Sequence, residues 1–207
     1  MTRGLRENSL SLPVSLYGRL SSEFCEWFAG FIDAEGLFVV YLRENHRPTI
    51  SFRISLHKDD EAVLKFIQDQ LGAGLILEDR DSLVFYLQKA KDLEGILFPL
   101  LDSFPLNSTK YKDYLIFKKV YYLKKDRLYF TDVGILELKS LLSQLNKRRT
   151  DFSYPENHVI RITPNWLLGF LEGDGGFYSN VSKKGHQVKV EQGVMHIYIE
   201  LPLRKIY

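Results

Sequence analysis

Two short stretches of the sequence could each place a carboxylate at the end of a helix. Residues 28–36 read "FAGFIDAEG" and residues 167–175 read "LLGFLEGDG", with Glu35 and Asp174 in the eighth place of each. Carboxylate oxygens suit Mg²⁺, and two nearby ions can activate a water and stabilise the leaving oxygen of a phosphodiester. If the stretches lie together, these residue types predict a divalent-metal site for phosphodiester hydrolysis.

Small residues in both stretches predict how the acids could meet. The third and seventh places are Gly30 and Ala34 in the first stretch, and Gly169 and Gly173 in the second. Residues four apart share one helix face, so two such helices can touch along their backbones. Two helices packed in the same direction would bring the acids together, where like charge and the helix dipoles call for a cation. The alternative is that the glycines only permit close packing and the acids are solvated helix ends.

Hydrophobic periodicity predicts the elements that carry these stretches. Apolar residues recur at helical spacing from an N-cap at Ser21 or Ser22 to a stop at Gly36, and two strand-like segments then form a hairpin. A helix ending at Gly72, a hairpin turning at 79–81 and a helix over 91–104 follow, and further helices are predicted over 110–125 and 131–149. The fold class is therefore α+β, built from a helix–hairpin–helix–hairpin–helix unit.

The pattern restarts near Asn165, which divides the chain into segments. We expect a flexible N-terminal arm over 1–20, a first unit with its following helices over 21–150, and a polar, proline-bearing linker over 151–164. Residues 165–207 then form a partial second unit, since its second helix and second hairpin are missing. An incomplete second unit leaves open an enzyme completed by another chain, a longer protein, or an inactive relic.

Composition excludes several classes of protein. The formal charge of +2 neither demands nor excludes a nucleic-acid partner, and no apolar run is long enough to span a bilayer. Cys25 cannot form an internal disulfide and is given no role. The five histidines show no zinc or histidine-nuclease spacing, and no glycine-rich phosphate loop is present.

The two stretches resemble the paired motifs of the LAGLIDADG homing endonucleases, and the phrase "FPLNSTKYKDYLIFKK" resembles the segment after the first family unit. This resemblance implies a pseudo-two-fold α+β fold, with helices on one face of antiparallel β-saddles that sit over DNA. It also implies Mg²⁺- or Mn²⁺-dependent double-strand cleavage of a long target site, by a monomeric pseudo-dimer encoded in a mitochondrial intron. Related proteins can instead assist intron RNA splicing as maturases, which remains the alternative function.

By the same resemblance, Glu35 and Asp174 are the catalytic metal-binding acids, and the carbonyls of Ala34 and Gly173 are further metal contacts. Asp33 and Glu172 shape the helix ends. Gln192 matches a family glutamine near the end of the second strand, whereas Leu56 stands in the corresponding place of the first unit. Lys110 matches a family lysine before the helix that follows the unit, where a cation would stabilise charge on the scissile phosphate.

A two-stranded ribbon fits the DNA major groove, so polar residues of the hairpins are candidates for DNA binding. Alternation in "TISFRISLH" separates an apolar face from a polar one, and a solvated sheet face is the alternative reading. In the second unit the lysines would mainly contact phosphates. The predicted DNA-binding residues are Arg43, His46, Arg47, Ser51, Arg53, Ser55, His57, Arg80, Lys183, Lys184, His186 and Lys189.

Overall fold

The computed structural model describes residues 16, 18–43, 47–146, 150–155, 157–182, 185–192 and 195–200, and it describes side chains as far as residue 175. The helices are α1 Ser22–Glu35, α2 Glu61–Leu71, α3 Ala90–Asp92, α4 Phe98–Ser103, α5 Lys110–Lys125, α6 Asp132–Leu142 and α7 Pro164–Asp174. The strands are β1 Gly36–Leu42, β2 Pro48–His57, β3 Leu75–Asp79, β4 Ser82–Leu87, β5 Gly175–Ser182, β6 Gly185–Gln192 and β7 Met195–Glu200. Not one of the helices in these ranges combines the length and apolarity needed to cross a membrane.

The first unit follows the predicted order of elements and confirms the α+β class. Ser21 caps α1 by accepting a hydrogen bond from the Phe24 N–H at 3.1 Å, and Gly72 ends α2 in the left-handed region with φ 58°. The strands form an antiparallel sheet in the order β1-β2-β4-β3. Each hairpin joins neighbouring strands, and the helices cover one face of the sheet.

The core lies between this sheet and the helices and is rich in aromatic rings. Phe38 and Phe52 from the sheet are buried with ring centroids 5.4 Å apart, and Phe117 of α5 packs 5.3 Å from Phe38. Burying one such side chain contributes about 1.5–3 kcal/mol, so the aromatic cluster anchors the sheet to α5. This packing fixes the position at which β1 leaves α1.

The helix predicted over 91–104 is not one regular helix. A π-helical turn over Leu93–Leu97 separates α3 from α4, and the Phe98 N–H bonds to the Leu93 carbonyl five residues earlier. Pro99 follows immediately and has no N–H to continue the usual ladder. The wider turn accommodates this loss, and α4 follows it directly. The helix predicted over 131–149 is also shorter, ending at Leu142.

The second unit begins with α7, and its strands form a separate sheet in the order β5-β6-β7. In the first unit Gly36 after α1 pairs with Ile54, and in the second unit Gly175 after α7 pairs with Gln192. Strand register therefore makes buried Ile54 the counterpart of Gln192, so the prediction of Leu56 was wrong by two residues. The first unit therefore still has an apolar residue, and no glutamine, at the position that corresponds to Gln192.

The described residues before α1 pack against the first unit. Leu16 and Leu20 are buried in the first core, and the Arg19 guanidinium donates to the Leu71 carbonyl at 3.4 Å. Leu16 and the residues from Gly18 to Leu20, which the sequence assigns to the arm, therefore lie against the first unit. The residues before Leu16 lie outside the described part of the chain.

Burial of Cys25 on α1 lowers the reactivity expected of its thiol. Its side chain is fully buried, and burial, with the nearby Glu26 and Glu23 carboxylates, raises the pKa of the thiol to about 12. Because the thiolate is the nucleophile, we expect no reaction with Ellman's reagent at pH 8 in the folded protein and full reaction in denaturant. Rapid labelling of the folded chain, with circular dichroism unchanged, would show that Cys25 is accessible.

Candidate active site between the paired helices

The two motif helices α1 and α7 meet backbone to backbone. A Cβ atom at Gly30 would lie 1.9 Å from the Trp166 carbonyl oxygen, and one at Gly169 would lie 1.9 Å from the Trp27 carbonyl oxygen. Each glycine thus lies on the carbonyl of the residue that precedes the other motif. Because the contact is reciprocal, an approximate two-fold axis relates the two helices. The contact requires a residue without a side chain at both Gly30 and Gly169.

The C-terminal ends of the helices also lie together. A Cβ atom at Gly173 would be 2.4 Å from the Ala34 Cβ and 3.2 Å from the Glu35 Cγ, so the seventh and eighth positions of the motifs are adjacent. Glu35 is half-buried, and Asp174 is exposed. Burial raises the pKa of Glu35, Lys110 opposes this rise, and the negative charge of Asp174 adds to it. The two acids therefore share one electrostatic site.

Lys110 supplies a positive charge at this helix end. It is the first residue of α5, and its ammonium donates to the Ala34 carbonyl at 2.5 Å and to the Ile32 carbonyl at 3.3 Å. The end of α1 leaves the Ala34 carbonyl without a helical partner, whereas the Ile32 carbonyl also accepts the Gly36 N–H. Burial lowers the pKa of Lys110, while Asp33, Glu35, Asp174 and Asp113 oppose that change. The structure thus brings Lys110 to the paired acids.

Asp33 holds the segment that carries Lys110. Its side chain is only 4% exposed and accepts hydrogen bonds from the Asn107 N–H at 2.7 Å, the Ser108 N–H at 3.1 Å and the Ser108 hydroxyl at 2.5 Å. Burial raises the pKa of Asp33, and these hydrogen bonds oppose the rise. The loop from Asn107 to Lys110 is therefore tied directly to the end of α1.

Each motif tryptophan bonds to the sixth-position acid of the other motif. The Trp166 indole N–H donates to Asp33 at 3.0 Å, and the Trp27 indole N–H donates to Glu172 at 2.8 Å. Sequence reasoning assigned Asp33 and Glu172 to shaping the helix ends but missed this crossed pairing. The available signal was the equal distance between tryptophan and acid in both stretches.

The residues at the helix ends suit a hard divalent cation. The described residues contain no cluster of three or more His, Cys, Asp or Glu side chains that could hold a metal ion. Two carboxylates, adjacent backbone carbonyls, water and phosphate oxygens are nevertheless the donors that Mg²⁺ accepts. The Lys110 ammonium already lies on one of these carbonyls, so this helix end attracts positive charge.

Arg53 lies on the sheet face opposite the helices, where neighbouring side chains hold its guanidinium. Its guanidinium lies 4.9 Å from the Tyr86 ring centroid and 5.8 Å from that of Tyr41, and its Nε donates to the Ser51 hydroxyl at 3.0 Å. Ser51, which is also a predicted DNA-binding residue, is only 3% exposed. Because neighbouring strands enclose Ser51, its hydroxyl is a fixed acceptor that orients the Arg53 guanidinium.

The other predicted DNA-binding residues of the first unit lie in the hairpin turns and near the end of the inner strand β2. Arg43 bonds to Thr49 at 3.2 Å beside exposed Arg47, and Ser55 and His57 are exposed near the end of β2. The Nδ1 atom of His57 accepts from the Asp59 N–H at 3.3 Å, so this histidine also caps the following turn. Arg80 lies in the β3–β4 turn with φ 57°.

The remaining candidates fall at the limit of the described chain. His46, Lys183 and Lys184 lie outside the described residues. The backbones of His186 and Lys189 lie on β6, where they pair with Val181 and Tyr178 respectively. Gln192 ends the same strand, with its backbone beside the residue that follows Asp174.

Paired helices with adjacent acids, next to antiparallel sheets, define an α+β protein built on two related motifs. The family model for "LAGLIDADG endonuclease" matches residues 28–121. The chain is thus similar to the LAGLIDADG endonuclease family.

Individual proteins agree with this assignment. The probable intron-encoded endonuclease Cox1-I1b of Schizosaccharomyces pombe is 26% identical over 163 residues, a match that covers 75% of this chain and 41% of that protein. The probable intron-encoded endonuclease 2 of Neurospora crassa is 28% identical, again over 75% and 41% of the two chains. This chain thus spans about two-fifths of the length of these relatives.

Solved structures show the same fold. The LAGLIDADG meganuclease I-CpaMI, bound to uncleaved DNA, has a TM-score of 0.67 and 29% identity, over 80% of this chain and 65% of that one. The meganuclease I-SmaMI, bound to uncleaveable DNA, has a TM-score of 0.69 and 28% identity, over 82% and 66%. The similarity therefore extends over most of this chain.

Proposed function

We propose that this chain forms the paired-motif part of a site-specific DNA endonuclease that cuts both strands of a long target site. The contact between the C-terminal ends of α1 and α7 carries this proposal, because it brings Glu35, Asp174 and Lys110 to one place. The names of the curated relatives and the DNA-bound structural neighbours support it. The same names support an origin in a mitochondrial intron.

Glu35 and Asp174 would hold Mg²⁺ or Mn²⁺ together with the carbonyls of Ala34 and Gly173. Such an ion, when bound, lowers the pKa of a coordinated water and stabilises the leaving oxygen of the phosphodiester. The protein contributes two carboxylates fixed on packed helices, so little reorganisation is needed when DNA arrives. Lys110 adds a positive charge for the scissile phosphate, and Asp33 positions the loop that carries this lysine.

The sheet face opposite the helices would hold the DNA duplex. The Arg53 guanidinium stacks between two tyrosine rings, so it is oriented before it meets a base. Guanine offers two acceptors for such a group in the major groove. We assign base recognition to Arg53, and phosphate contacts to Arg43, Arg47 and Arg80. Gln192, Lys183, Lys184, His186 and Lys189 are proposed contacts from the second unit.

A cleavage assay tests the proposed activity. The purified chain is incubated with DNA that spans the exon junction without the intron, in the presence of Mg²⁺ or Mn²⁺, and the matched control is the same DNA with the intron inserted. We expect a double-strand cut in the first DNA alone. Binding without cleavage under all metal conditions would contradict the proposal, and splicing of intron RNA by the same preparation would favour a maturase.

Arg53→Ala is expected to weaken binding to the target by about tenfold or more, since a bidentate contact to a base contributes about 1–3 kcal/mol. Arg53→Lys should restore little of this loss, because lysine lacks the planar fork that stacks between Tyr41 and Tyr86. The measurement is a titration of target and unrelated DNA, followed by fluorescence anisotropy at several salt concentrations.

Arg80→Ala is the matched control, since it removes the same charge from the exposed hairpin turn. It should lower affinity for both DNAs to a similar extent and make binding less dependent on salt. An equal loss for target and unrelated DNA with Arg53→Ala would show that Arg53 contacts only the DNA backbone.

A further inference from the structure

The segment between the two units packs on the loop that carries Lys110. Residues 151–164 form the predicted linker, and the structure describes all of them except residue 156. Residues on both sides of Lys110 in the chain contact this linker, whereas the Lys110 ammonium contacts α1. The position of Lys110 therefore depends on two other segments, α1 and the linker.

Asn107 joins the linker and α1 to this loop through its hydrogen bonds. Its carboxamide pairs with the backbone of Arg161, accepting from the N–H at 2.8 Å and donating to the carbonyl at 2.6 Å. The Asn107 N–H donates to Asp33 at 2.7 Å, and the Asn107 carbonyl accepts from the Tyr154 hydroxyl at 2.9 Å. Asn107 is only 7% exposed, so little water competes for these hydrogen bonds.

The first turn of α5 holds the linker as well. The His158 ring lies between two tyrosine rings, with its centroid 4.2 Å from that of Tyr111 on α5 and 5.1 Å from that of Tyr154 in the linker. The Lys112 ammonium donates to the Asp151 carbonyl at 3.0 Å and to the Asp151 carboxylate at 2.9 Å. The start of α5 is therefore fixed to the linker at two further points.

We propose that Asn107 is a positioning residue for the cleavage reaction, because it ties the linker to the loop that places the Lys110 ammonium beside the paired acids. Lysine has a long, flexible side chain, so its ammonium reaches the carbonyls of α1 only while this loop keeps its place. This role rests on the proposed function, whereas the docking of the loop can be measured without DNA or metal.

The linker also leads into α7, so its docking connects Lys110 with the second acid. Thr163 caps α7, and its hydroxyl donates to Glu26 of α1 at 3.0 Å. Asp174 lies at the other end of α7. One continuous segment therefore runs from the contact with Asn107 to the helix that carries Asp174, and this segment positions the lysine and the acid together.

Chemical labelling of lysines tests whether Asn107 holds Lys110 in place. The full chain is treated with a trace of acetic anhydride between about pH 7 and pH 10, and mass spectrometry gives the labelling rate and the pKa of each lysine. The exposed Lys89 amine is the internal standard. In the parent chain the Lys110 amine should react slowly, because two carbonyls of α1 hold its ammonium.

Asn107→Leu should raise the labelling rate of Lys110 by about tenfold or more at the upper end of this pH range. Leucine is similar in size to asparagine and keeps the N–H that donates to Asp33, but it removes both hydrogen bonds to Arg161, so the loop opens more readily. The pKa of Lys110 should also move upward, because burial is what lowers it.

Asn107→Asp should resemble Asn107→Leu, since a carboxylate cannot donate to the Arg161 carbonyl and adds a like charge next to Asp33. Asn157→Asp is the matched control. Asn157 is exposed in the linker, and its carboxamide has no hydrogen bond with any described residue, so this variant should label like the parent chain.

Tyr154→Phe is a milder variant that leaves the Asn107 carboxamide intact. It removes the hydroxyl that donates to the Asn107 carbonyl, so the labelling rate of Lys110 should rise by about threefold or more. Tyr122→Phe is its control, because Tyr122 is 40% exposed, close to the 39% of Tyr154, and its hydroxyl has no hydrogen bond with any described residue. Circular dichroism checks that each variant folds.

The cleavage assay then measures the effect on the reaction. Asn107→Leu should lower the single-turnover rate by about tenfold or more, because a displaced Lys110 no longer stabilises charge on the phosphate. The Kd for target DNA should change by less than about twofold, since the strands that would bind DNA contain neither Asn107 nor the linker.

Two results would overturn this role of Asn107. The first is a parental labelling rate of Lys110 in folded Asn107→Leu and Tyr154→Phe, which would show that the linker does not hold the lysine. The second is faster labelling with a parental cleavage rate, which would show that the position of Lys110 does not matter for the reaction. A parent chain that cuts no DNA would instead contradict the proposed function, and the labelling would still decide whether Asn107 holds Lys110.

Discussion

Glu35→Gln is expected to lower the rate of DNA cleavage on the order of 10²–10³-fold, and Asp174→Asn should do the same. Both substitutions keep the size and hydrogen-bonding capacity of the side chain but remove the charge that would hold a divalent ion. DNA binding should persist, because the sheet face opposite the helices does not include these acids. Single-turnover cleavage with Mg²⁺ or Mn²⁺ and a gel-shift titration measure the two effects separately.

Asp69→Asn provides the matched control for the loss of one negative charge. Asp69 is exposed on α2, and its carboxylate has no hydrogen bond or ion pair with any described residue, so its variant should cleave like the parent chain. If both active-site variants cut both strands at the parental rate, Glu35 and Asp174 are not the metal-binding acids. If the variants lose DNA binding as well as cleavage, the defect is structural, and thermal unfolding will reveal it.

Gly30→Ala is expected to destabilise the protein by about 3 kcal/mol or more, at the upper end of the range for overpacked cores. The added Cβ would overlap the Trp166 carbonyl oxygen at 1.9 Å, and the Trp166 carbonyl carbon would be 2.8 Å away. These are backbone atoms, so the new methyl group can be accommodated only if α1 and α7 move apart. Urea unfolding monitored by tryptophan fluorescence measures the loss.

Gly95→Ala is the control for this substitution. A Cβ at Gly95 meets nothing within 4 Å, so the change should be neutral or should stabilise the helix by up to about 1 kcal/mol. Gly169→Ala, the two-fold counterpart, should match Gly30→Ala. The double variant should cost less than the two single losses added, because helices already separated leave room for the second methyl group.

An equal stability of the Gly30→Ala and Gly95→Ala variants would mean that the helices do not touch at this point. The same result would weaken the proposed site, because the distance between the acids depends on that contact. A loss of stability that is restored by pairing Gly30→Ala with Trp166→Ala would point instead to a side-chain clash. The carbonyl of residue 166 is present in every variant, so we expect no such recovery.

Local patterns were sufficient to predict much of the first unit. Helical spacing, the cap at Ser21 and the stop at Gly72 depend on residues near one another in sequence, and α1 and α2 are found where these signals place them. Alternation along β2 likewise predicted which side chains enter the core. The π-helical turn before Pro99 was missed, because a helix can absorb one lost N–H in more than one way.

The chemistry of the site was also present in the sequence, as two glycine-spaced stretches that each end in an acid. What the sequence could not decide was which groups surround those acids. Asp33 is bonded to Asn107 and Ser108, more than 70 residues away, and Lys110 reaches carbonyls on α1 across a similar separation. Such contacts arise only when α5 packs on the sheet, and no local pattern of residues specifies them.

The sheet face shows the same division. Alternation distinguished Ser51 and Arg53 from the core residues, but the register of β1, β2 and β4 decided that Ser51 is enclosed and that Arg53 stacks between Tyr41 and Tyr86. The sequence by itself thus determined the elements and the reactive side chains. The tertiary structure alone decided their neighbours, because burial and long-range hydrogen bonds depend on how distant segments pack.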